Sequence, residues 1–324
     1  MKRREFIGAL ASAAVWQNVA RAQQGGILPR VGYIDGETGL GAMEGLLAGL
    51  RELGYIDGKN VRLVKQLFSA PTVSQTKEAI LTVLPKIDIL VVAGTIGGVA
   101  ARAATSDVPV VFISVGAPVD IGLVRSLAKP GGNMTGVTFE AAEETYAKRL
   151  QLLTEIVPGV SRVAVLGAAG DPNFPFAMVS LKRSAPGLGV SITSIELNSA
   201  DELNRAFDEI KRSQAQALLV VSGSLTYGSI RETVDLSLVN SLPSCHGFRE
   251  AVAAGGLISL GPDLVSLGRQ SARLVDKIIK GERPADIPVE QPSQYVMSIN
   301  LKTAKALGLT VPPSLLARAD EVIE

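Results

Sequence analysis

The chain has 324 residues, of which 47% are hydrophobic and 19% are charged; this composition is typical of a globular protein, and the length predicts two domains. The formal net charge is +1, and the sequence carries no basic stripe, which argues against a nucleic-acid-binding surface. Aromatic residues make up only 4%, so the core is rich in branched aliphatic side chains, which suit strands covered by helices on both faces.

Residues 1–22 have the layout of a cleaved export signal. A basic start precedes an apolar run at 6–16, and Ala20-Arg21-Ala22 is a small-x-small cleavage site. The run is too short to be a permanent membrane span. We therefore predict a mature, periplasmic chain that begins at Gln23. The pair Arg3-Arg4 leaves both the twin-arginine and the Sec export routes open.

Strands and helices alternate through the first half of the chain. Apolar runs predict strands at 30–34, 61–64, 87–93, 108–113 and 137–139. Helical spacing predicts the connecting helices at 46–53, 73–84 and 99–104. Strands joined by single helices form a parallel sheet, because a parallel return needs a long crossover.

The same strand–loop–helix unit restarts after Glu140. Strands are predicted at 163–166, 190–195 and 217–221, and helices at 142–156, 179–185, 203–212 and 230–239. A long amphipathic helix follows at 264–280, and the tail has a strand at 295–299 and a helix at 301–307. Two successive α/β sets, with a crossing near Phe139, predict two Rossmann-like α/β lobes with parallel sheets.

The loops that follow the strands carry the candidate binding residues. In a sheet of this kind, ligands bind outside the carboxyl ends of the strands. Helix N-termini at the same edge offer N–H groups that suit a carboxylate, and small residues let the backbone approach a ligand. The residues predicted to contact a ligand are Thr38, Thr95, Gly116, Asp171, Asn173, Ser222, Ser224, Tyr227 and Phe248.

An amino acid would also need an acceptor for its ammonium group. Asp171 is the first candidate, followed by Glu37 or Asp35. Asp171 precedes Pro172 and therefore also fits a simple turn or helix cap. The aromatic residues that could stack on an apolar side chain of the ligand are Phe174, Tyr227 and Phe248.

The sequence offers few residues that could catalyse a reaction. Cys245 and His246 are the single cysteine and the single histidine, and neighbouring side chains in a strand point apart. No second His or Cys completes a metal site, and no internal disulfide can form. The sequence has neither a nucleophile elbow nor a phosphate-binding loop. We predict a protein that is not an enzyme and that needs neither a cofactor nor a metal.

Several longer segments carry a family resemblance: Arg3-Arg4-Glu5-Phe6-Ile7, Gly49-Leu50-Arg51-Glu52-Leu53-Gly54-Tyr55, Lys129-Pro130-Gly131-Gly132-Asn133-Met134-Thr135-Gly136-Val137-Thr138, Phe248-Arg249-Glu250-Ala251-Val252-Ala253-Ala254-Gly255-Gly256 and the tail at 300–324. Through them, nearly the whole chain resembles the solute-binding proteins of ABC transporters whose characterised members bind tryptophan and other aromatic amino acids. The resemblance implies a type I periplasmic-binding fold, in which two lobes joined by a three-segment hinge close around a small solute.

The resemblance also implies how the chain divides. An N-terminal lobe would comprise 29–138 plus 262–285, and a C-terminal lobe 139–261 plus 286–324. The loops at 169–173 and 222–225, and the segment 66–75, depart from the pattern of the relatives. Because these departures fall at loop ends, the ligand cannot simply be copied from the relatives.

These observations predict the solute-binding protein of an ABC importer. It would be a periplasmic monomer that closes on an amino acid or a related small carboxylate and delivers it to an ABC permease in the inner membrane. The alternative is a periplasmic sensor that reports the same ligand to a membrane receptor without transport. A lac-repressor-type regulator is excluded, because an export signal stands in place of DNA-binding helices.

Overall fold

The computed structural model describes residues 28–36, 40–68, 72–140 and 144–324. The predicted export signal at 1–22 and the candidate residues Glu37 and Thr38 lie outside these ranges. Within the described ranges, no helix combines the length and the apolar character needed to span a bilayer.

The first sheet consists of β1 (Arg30–Gly36), β2 (Arg62–Phe68), β3 (Ile89–Ala93), β4 (Val110–Gly116) and β5 (Met134–Glu140), and its helices are α1 (Leu40–Glu52), α2 (Val73–Val83) and α3 (Gly94–Ala104). All strands are parallel, in the order β2-β1-β3-β4-β5. Successive residues of β3 enter opposite cores: Val91 packs in the cluster that contains α1, and Val92 in the cluster that contains α2 and α3. A strand buried on both faces explains the continuous apolar run in the sequence.

The second sheet consists of β6 (Arg162–Ala168), β7 (Ser191–Leu197), β8 (Ala217–Val220), β9 (Ser244–His246), β10 (Ile258–Gly261), β11 (Val296–Asn300) and β12 (Glu321–Ile323). The helices of the second half are α4 (Glu144–Ile156), α5 (Asn173–Ser184), α6 (Leu203–Arg212), α7 (Ser224–Gly228), α8 (Ile230–Val239), α9 (Arg249–Ala253), α10 (Leu264–Ile279), α11 (Leu301–Ala306) and α12 (Pro313–Leu316). The strand order is β12-β11-β10-β9-β8-β6-β7, and β11 runs antiparallel to β10 while the other pairs are parallel.

The chain passes between the two sheets three times. The first passage follows β5, and the second lies between β10 and α10, because α10 packs on α1 of the first lobe. The third lies between Glu290, which pairs with Val137, and β11. The predicted lobe limits stay a prediction, and the pairing of Glu290 favours a limit later in the chain than 285.

Close contact between two helix backbones joins α10 to α1. A Cβ atom at Gly45 of α1 would lie 1.9 Å from the carbonyl oxygen of Val265, and one at Gly268 of α10 would lie 2.0 Å from the carbonyl oxygen of Ala42. Glycine is therefore required at both positions by space and not by backbone angle. This packing assigns α10 to the first lobe, although its sequence follows the second sheet.

Besides α1, which starts at Leu40 and not at 46, two further helices begin earlier than the sequence predicted. Helix α3 starts at Gly94. The sequence predicted a start at 99, because Gly94, Gly97 and Gly98 indicated a loop. Packing explains the glycines: a Cβ at Gly98 would lie 2.8 Å from Cδ1 of Leu123. Helix α5 starts at Asn173 and not at 179. Both corrections place a helix N-terminus directly after a strand.

Candidate functional site

A cavity lies between the two sheets, at the carboxyl ends of their strands. Its volume is about 540 Å³, part of which is open to solvent. The first lobe contributes Asp35, Ala42, Ala93, Gly94, Thr95, Ser114, Gly116, Phe139 and Leu264, and the second contributes Asn173, Ser222, Gly223, Ser224, Tyr227 and Phe248. A cleft between two lobes, with an apolar part and a few converging polar groups, suits a small molecule.

The two lobes meet across this cavity. A Cβ atom at Gly116 of the first lobe would lie 2.3 Å from Oδ1 of Asn173 in the second lobe. A Cβ atom at Gly94 would lie 3.2 Å from Oγ of Ser224. The absence of a side chain at Gly116 therefore permits the lobes to approach this closely.

Backbone groups dominate the wall formed by the first lobe. No side chain caps α3, which follows β3 directly, so its first-turn N–H groups are available as donors at the cavity. Thr95 Oγ1 accepts a hydrogen bond from the backbone N of Gly116 at 3.2 Å, which ties α3 to the end of β4. Ser114 has a φ of 61° where the pairing of β4 with β5 is irregular. Left-handed backbone at a non-glycine residue is a strain that often marks binding segments.

Asp35 is the acidic residue of the described lining. It lies at the end of β1, and its Oδ2 accepts a hydrogen bond from the hydroxyl of Tyr33 at 2.8 Å. Burial and the adjacent Asp35 carboxylate raise the pKa of Tyr33 well above its ordinary value, so this hydroxyl keeps its proton. Asp35 therefore places a carboxylate at the edge of the cleft.

The wall formed by the second lobe is built around the amide of Asn173, which is 2% exposed. Its Nδ2 donates to the hydroxyl of Tyr146 at 2.7 Å and to the carbonyl oxygen of Ser222 at 2.9 Å. A carbonyl oxygen can only accept, so the amide nitrogen must face Ser222 and the amide oxygen must face Gly116. That oxygen, Oδ1, has no hydrogen-bond partner in the part of the chain that the structure describes.

Ser222 follows β8 and is 6% exposed. Its Oγ also lacks a hydrogen-bond partner among the described residues. Gly247 leaves room for this hydroxyl, because a Cβ atom there would lie 2.0 Å from the Ser222 oxygen. Two residues that line the cavity thus carry a buried polar atom without a partner among the described residues, and a buried polar atom normally has a partner.

Asp171 lies behind this wall and does not line the cavity. It is 4% exposed, and its Oδ1 accepts a hydrogen bond from the backbone N of Asn173 at 2.9 Å. Burial raises the pKa of Asp171 to about 6, and the bond from Asn173 opposes this shift only in part.

Three aromatic rings form the apolar side of the cavity. The rings of Phe139 and Phe248 are 5.0 Å apart, and Tyr227 meets Phe248 edge-on at 4.7 Å. Burial raises the pKa of the Tyr227 hydroxyl, with smaller effects from the carboxylates of Glu250 and Asp35. An apolar or aromatic group of a ligand can pack against this side.

The predicted contact residues separate into three groups. Asp171 lies behind the cavity and Thr38 lies outside the described ranges. Phe174, a candidate for stacking, packs in the core against Gly167. The predicted residues that line the cavity are Thr95, Gly116, Asn173, Ser222, Ser224, Tyr227 and Phe248.

Sequence reasoning missed two residues of α4 that support the site. Tyr146 and Arg149 are fully buried, and the guanidinium of Arg149 lies 5.2 Å from the centre of the Tyr146 ring and 5.7 Å from that of Phe139. Arg149 Nε also donates to the carbonyl oxygen of Leu260 at 2.7 Å. A Tyr and an Arg three residues apart, on the same helix face as Leu150 and Leu153, were the available signal.

Cys245 and His246 lie in β9 and do not line the cavity. Burial raises the pKa of Cys245 to about 12 and lowers the pKa of His246 to about 4. The thiol therefore stays protonated and the imidazole stays neutral near pH 7. Across the described ranges, no three side chains of His, Cys, Asp or Glu form a group that could hold a metal ion.

Comparisons with known proteins agree with this architecture. A tyrosine-binding protein of Clostridioides difficile is 27% identical over 270 residues, which cover 83% of this chain and 76% of the relative. A conserved domain protein from Vibrio cholerae superposes with a TM-score of 0.86 at 25% identity, covering 91% of this chain and 100% of that one. An ABC domain from Streptococcus pneumonia in complex with L-Trp superposes with a TM-score of 0.85 at 24% identity, covering 92% and 100%.

The predicted fold class is confirmed: two α/β lobes with mostly parallel sheets match those of type I periplasmic-binding proteins. The sequence model of one family, described as ABC transporter substrate binding protein, matches residues 31–323. That match covers nearly the whole chain, so the predicted family is confirmed as well. The chain belongs to the ABC transporter substrate binding protein family.

Proposed function

We propose that this chain is the periplasmic solute-binding protein of an ABC importer and that its solute is an aromatic amino acid or a related small carboxylate. The observation that carries the proposal is that two residues lining the cavity each have a buried polar atom, Asn173 Oδ1 and Ser222 Oγ, without a partner among the described residues. A ligand with N–H or O–H groups satisfies both atoms and removes a cost of about 1–3 kcal/mol for each.

The two walls suggest how an amino acid would lie. Its carboxylate would accept hydrogen bonds from the first-turn N–H groups of α3 and from the hydroxyl of Thr95. Its ammonium group would donate to Asn173 Oδ1, with Asp35 as the nearest lining carboxylate. Its side chain would then extend along the aromatic rings of Tyr227 and Phe248.

The ligand class is supported by the relatives as well as by the cavity. The relative from Clostridioides difficile is named for tyrosine, and the structure from Streptococcus pneumonia contains L-Trp. The aromatic side of the cavity here can pack against such a side chain. Tyrosine and tryptophan are therefore the first solutes to test.

Closure of the hinge would couple binding to transport. A ligand that contacts both lobes favours the arrangement in which they meet, which is a population shift toward the closed form. The protein, a monomer that had been exported to the periplasm, would then deliver its solute to the permease in the closed form. Neither ligand binding nor closure would form or break a covalent bond in this chain, so we propose a binding protein and not an enzyme.

A thermal-shift screen of the protein against the common amino acids and their desamino analogues tests the binding proposal. A true ligand at about 100 times its dissociation constant should stabilise the fold by about 2.7 kcal/mol, and we expect tyrosine or tryptophan to do so. If no amino acid or small carboxylate raises the melting temperature, the proposal is wrong. Loss of uptake of that solute on gene deletion would support import, and unchanged uptake would support a sensor.

A further inference from the structure

Asp171 occupies the junction between the two loops with which the second lobe reaches the cavity. On one side, its Oδ1 accepts a hydrogen bond from the backbone N of Asn173 at 2.9 Å. On the other side, its Oδ2 lies against Gly223, where a Cβ atom would be only 2.4 Å away. Gly223 has an extended φ of −173°, so this glycine is required by the close carboxylate and not by its backbone angle.

The same carboxylate is buried with little to compensate its charge. Among the described residues, only the N–H of Asn173 offsets the cost of burial, which raises the pKa of Asp171 to about 6. The charged residues that share the outer surface pocket with Asp171 are Lys182 on α5 and Glu196 on β7. A turn residue with no further role would be an apolar or neutral polar side chain at lower cost.

We propose that Asp171 is a positioning residue that holds the two ligand-contacting loops of the second lobe together, and that its negative charge strengthens the binding of a ligand's ammonium group on Asn173. The effect of the Asp171 charge on ligand binding rests on the proposed function, and the positioning role does not. Asp171 thus acts through Asn173 and Gly223, one layer behind the cavity, where the sequence alone indicated a direct contact.

The positioning role is tested without any ligand by hydrogen exchange. Asp171→Ala removes the acceptor of the Asn173 N–H, and we expect faster amide exchange at both 171–175 and 222–226. Asp171→Asn keeps an acceptor oxygen and should change exchange much less. Glu196→Gln, which neutralises a neighbouring carboxylate of the same outer pocket, is the matched control and should change neither loop. Unchanged exchange at 222–226 in Asp171→Ala would overturn the positioning role.

The charge is tested by titrating affinity for tyrosine and for desaminotyrosine, which lacks the amino group. Both charged groups of tyrosine stay ionised between about pH 5 and about pH 7. The wild-type affinity for tyrosine should fall about 3- to 10-fold as pH falls through this range, because Asp171 becomes protonated. The affinity for desaminotyrosine should change much less. Asp171→Asn should bind tyrosine more weakly at pH 7 and show a nearly flat profile.

Other titratable groups near the cleft can be separated from Asp171. His246 has a pKa of about 4 and stays neutral across this range. Burial raises the pKa of Glu250, whose charge acts on Tyr227, so Glu250 and the lining carboxylate of Asp35 are the groups that could imitate Asp171. A pH profile that persists in Asp171→Asn would assign the effect to another group and overturn the charge half of the proposal.

Stability supplies a third readout with the opposite sign. The pKa of Asp171 is raised in the folded protein, so its charged form destabilises the fold above about pH 6, and the effect vanishes below about pH 4, where the group is protonated in both states. Asp171→Asn should therefore melt at a higher temperature than the wild type at pH 7 and at nearly the same temperature at about pH 3. If Asp171→Asn melts at a lower temperature than the wild type at pH 7, the charged Asp171 carboxylate does not destabilise the fold.

These outcomes distinguish the inference from the proposed function. If wild-type protein binds neither tyrosine nor any other amino acid, the proposed function fails, and with it the charge half, while the exchange experiment still decides the positioning half. If tyrosine binds equally to the wild type and to Asp171→Asn at pH 7, the proposed function stands and the charge half fails.

Discussion

The two walls of the cleft present different kinds of polar group. The first lobe offers backbone N–H groups at the start of α3 and a Thr95 hydroxyl that is already engaged with Gly116. The second lobe offers side-chain atoms, Asn173 Oδ1 and Ser222 Oγ, held by a network behind the wall. Donors on one side and an acceptor on the other suit a ligand with a negative and a positive end. The carboxylate would then bind the first lobe and the ammonium group chiefly the second, with Asp35 of the first lobe as the lining carboxylate, and only a ligand with both ends would hold the lobes together.

The largest effect should follow from removing the acceptor of the second lobe. Asn173→Leu leaves an ammonium group without its oxygen, and a hydrogen bond to a charged group contributes about 1.5–3 kcal/mol. We expect the affinity for tyrosine to fall roughly 10- to 150-fold by calorimetry, with a smaller loss for desaminotyrosine. Asn240→Leu, the same exchange at an exposed residue of the second lobe, is the control. Equal losses for both ligands would contradict an ammonium group at Asn173.

The next effect should follow from holding the walls apart. Gly116→Ala places a Cβ atom 2.3 Å from Asn173 Oδ1, and the clash exists only when the lobes meet. Overpacking of this kind costs about 1–3 kcal/mol, so we expect a loss of affinity of about 10-fold or more and little change in the melting temperature without ligand. Gly132→Ala, where a Cβ meets open space, should alter neither quantity. A lower melting temperature with unchanged affinity would show that the clash lies within one lobe.

A smaller effect should follow from changing the first lobe at the carboxylate end. Thr95→Val removes the hydroxyl that binds Gly116 N and that would donate to the carboxylate. We expect about a 10-fold weaker affinity for tyrosine, consistent with one hydrogen bond to a charged group, and little change for tyrosinamide, in which the carboxylate is neutralised. Thr76→Val removes a buried hydroxyl of the same lobe far from the cleft and is the control. An equal loss of affinity for tyrosine and for tyrosinamide would show that the ligand's carboxylate does not bind at Thr95.

The smallest effect should come from changing Ser222. The melting temperature without ligand should rise, while the affinity for tyrosine should fall. Removing a buried hydroxyl without a partner in the described chain relieves a cost in the absence of ligand, so Ser222→Ala should raise the melting temperature slightly. The same change should weaken tyrosine binding roughly 2- to 13-fold, because a neutral hydrogen bond contributes about 0.5–1.5 kcal/mol.

Thr233→Val separates the two effects of the serine change. Thr233 also carries a buried hydroxyl without a described partner, but it lies on α8 and does not line the cavity. Its replacement should raise the melting temperature and leave affinity unchanged. If Ser222→Ala behaves in the same way as Thr233→Val, the Ser222 hydroxyl has no contact with the ligand.

The sequence by itself determined the alternation of strands and helices and the two-lobe architecture. Both are local properties: an apolar run between turn residues indicates a buried strand, and parallel return requires a crossover helix. The same rule predicted that the residues after the strands, such as Thr95, Gly116 and Ser222, would be close together. Carboxyl ends of parallel strands meet at one edge of a sheet whatever the details of packing, and these residues do line one cavity.

Only the tertiary structure decided which of these groups have partners. Asp171 and Asn173 are two residues apart, yet one lies behind the wall and the other forms it, because Tyr146 and Ser222 orient the amide. Likewise, the packing of Leu123 against Gly98 within α3 joins two segments that the sequence does not link. Such contacts join residues that are far apart in the chain. Local patterns carry no record of them, so hydrogen-bond partners and close backbone approach could be seen only in the folded protein.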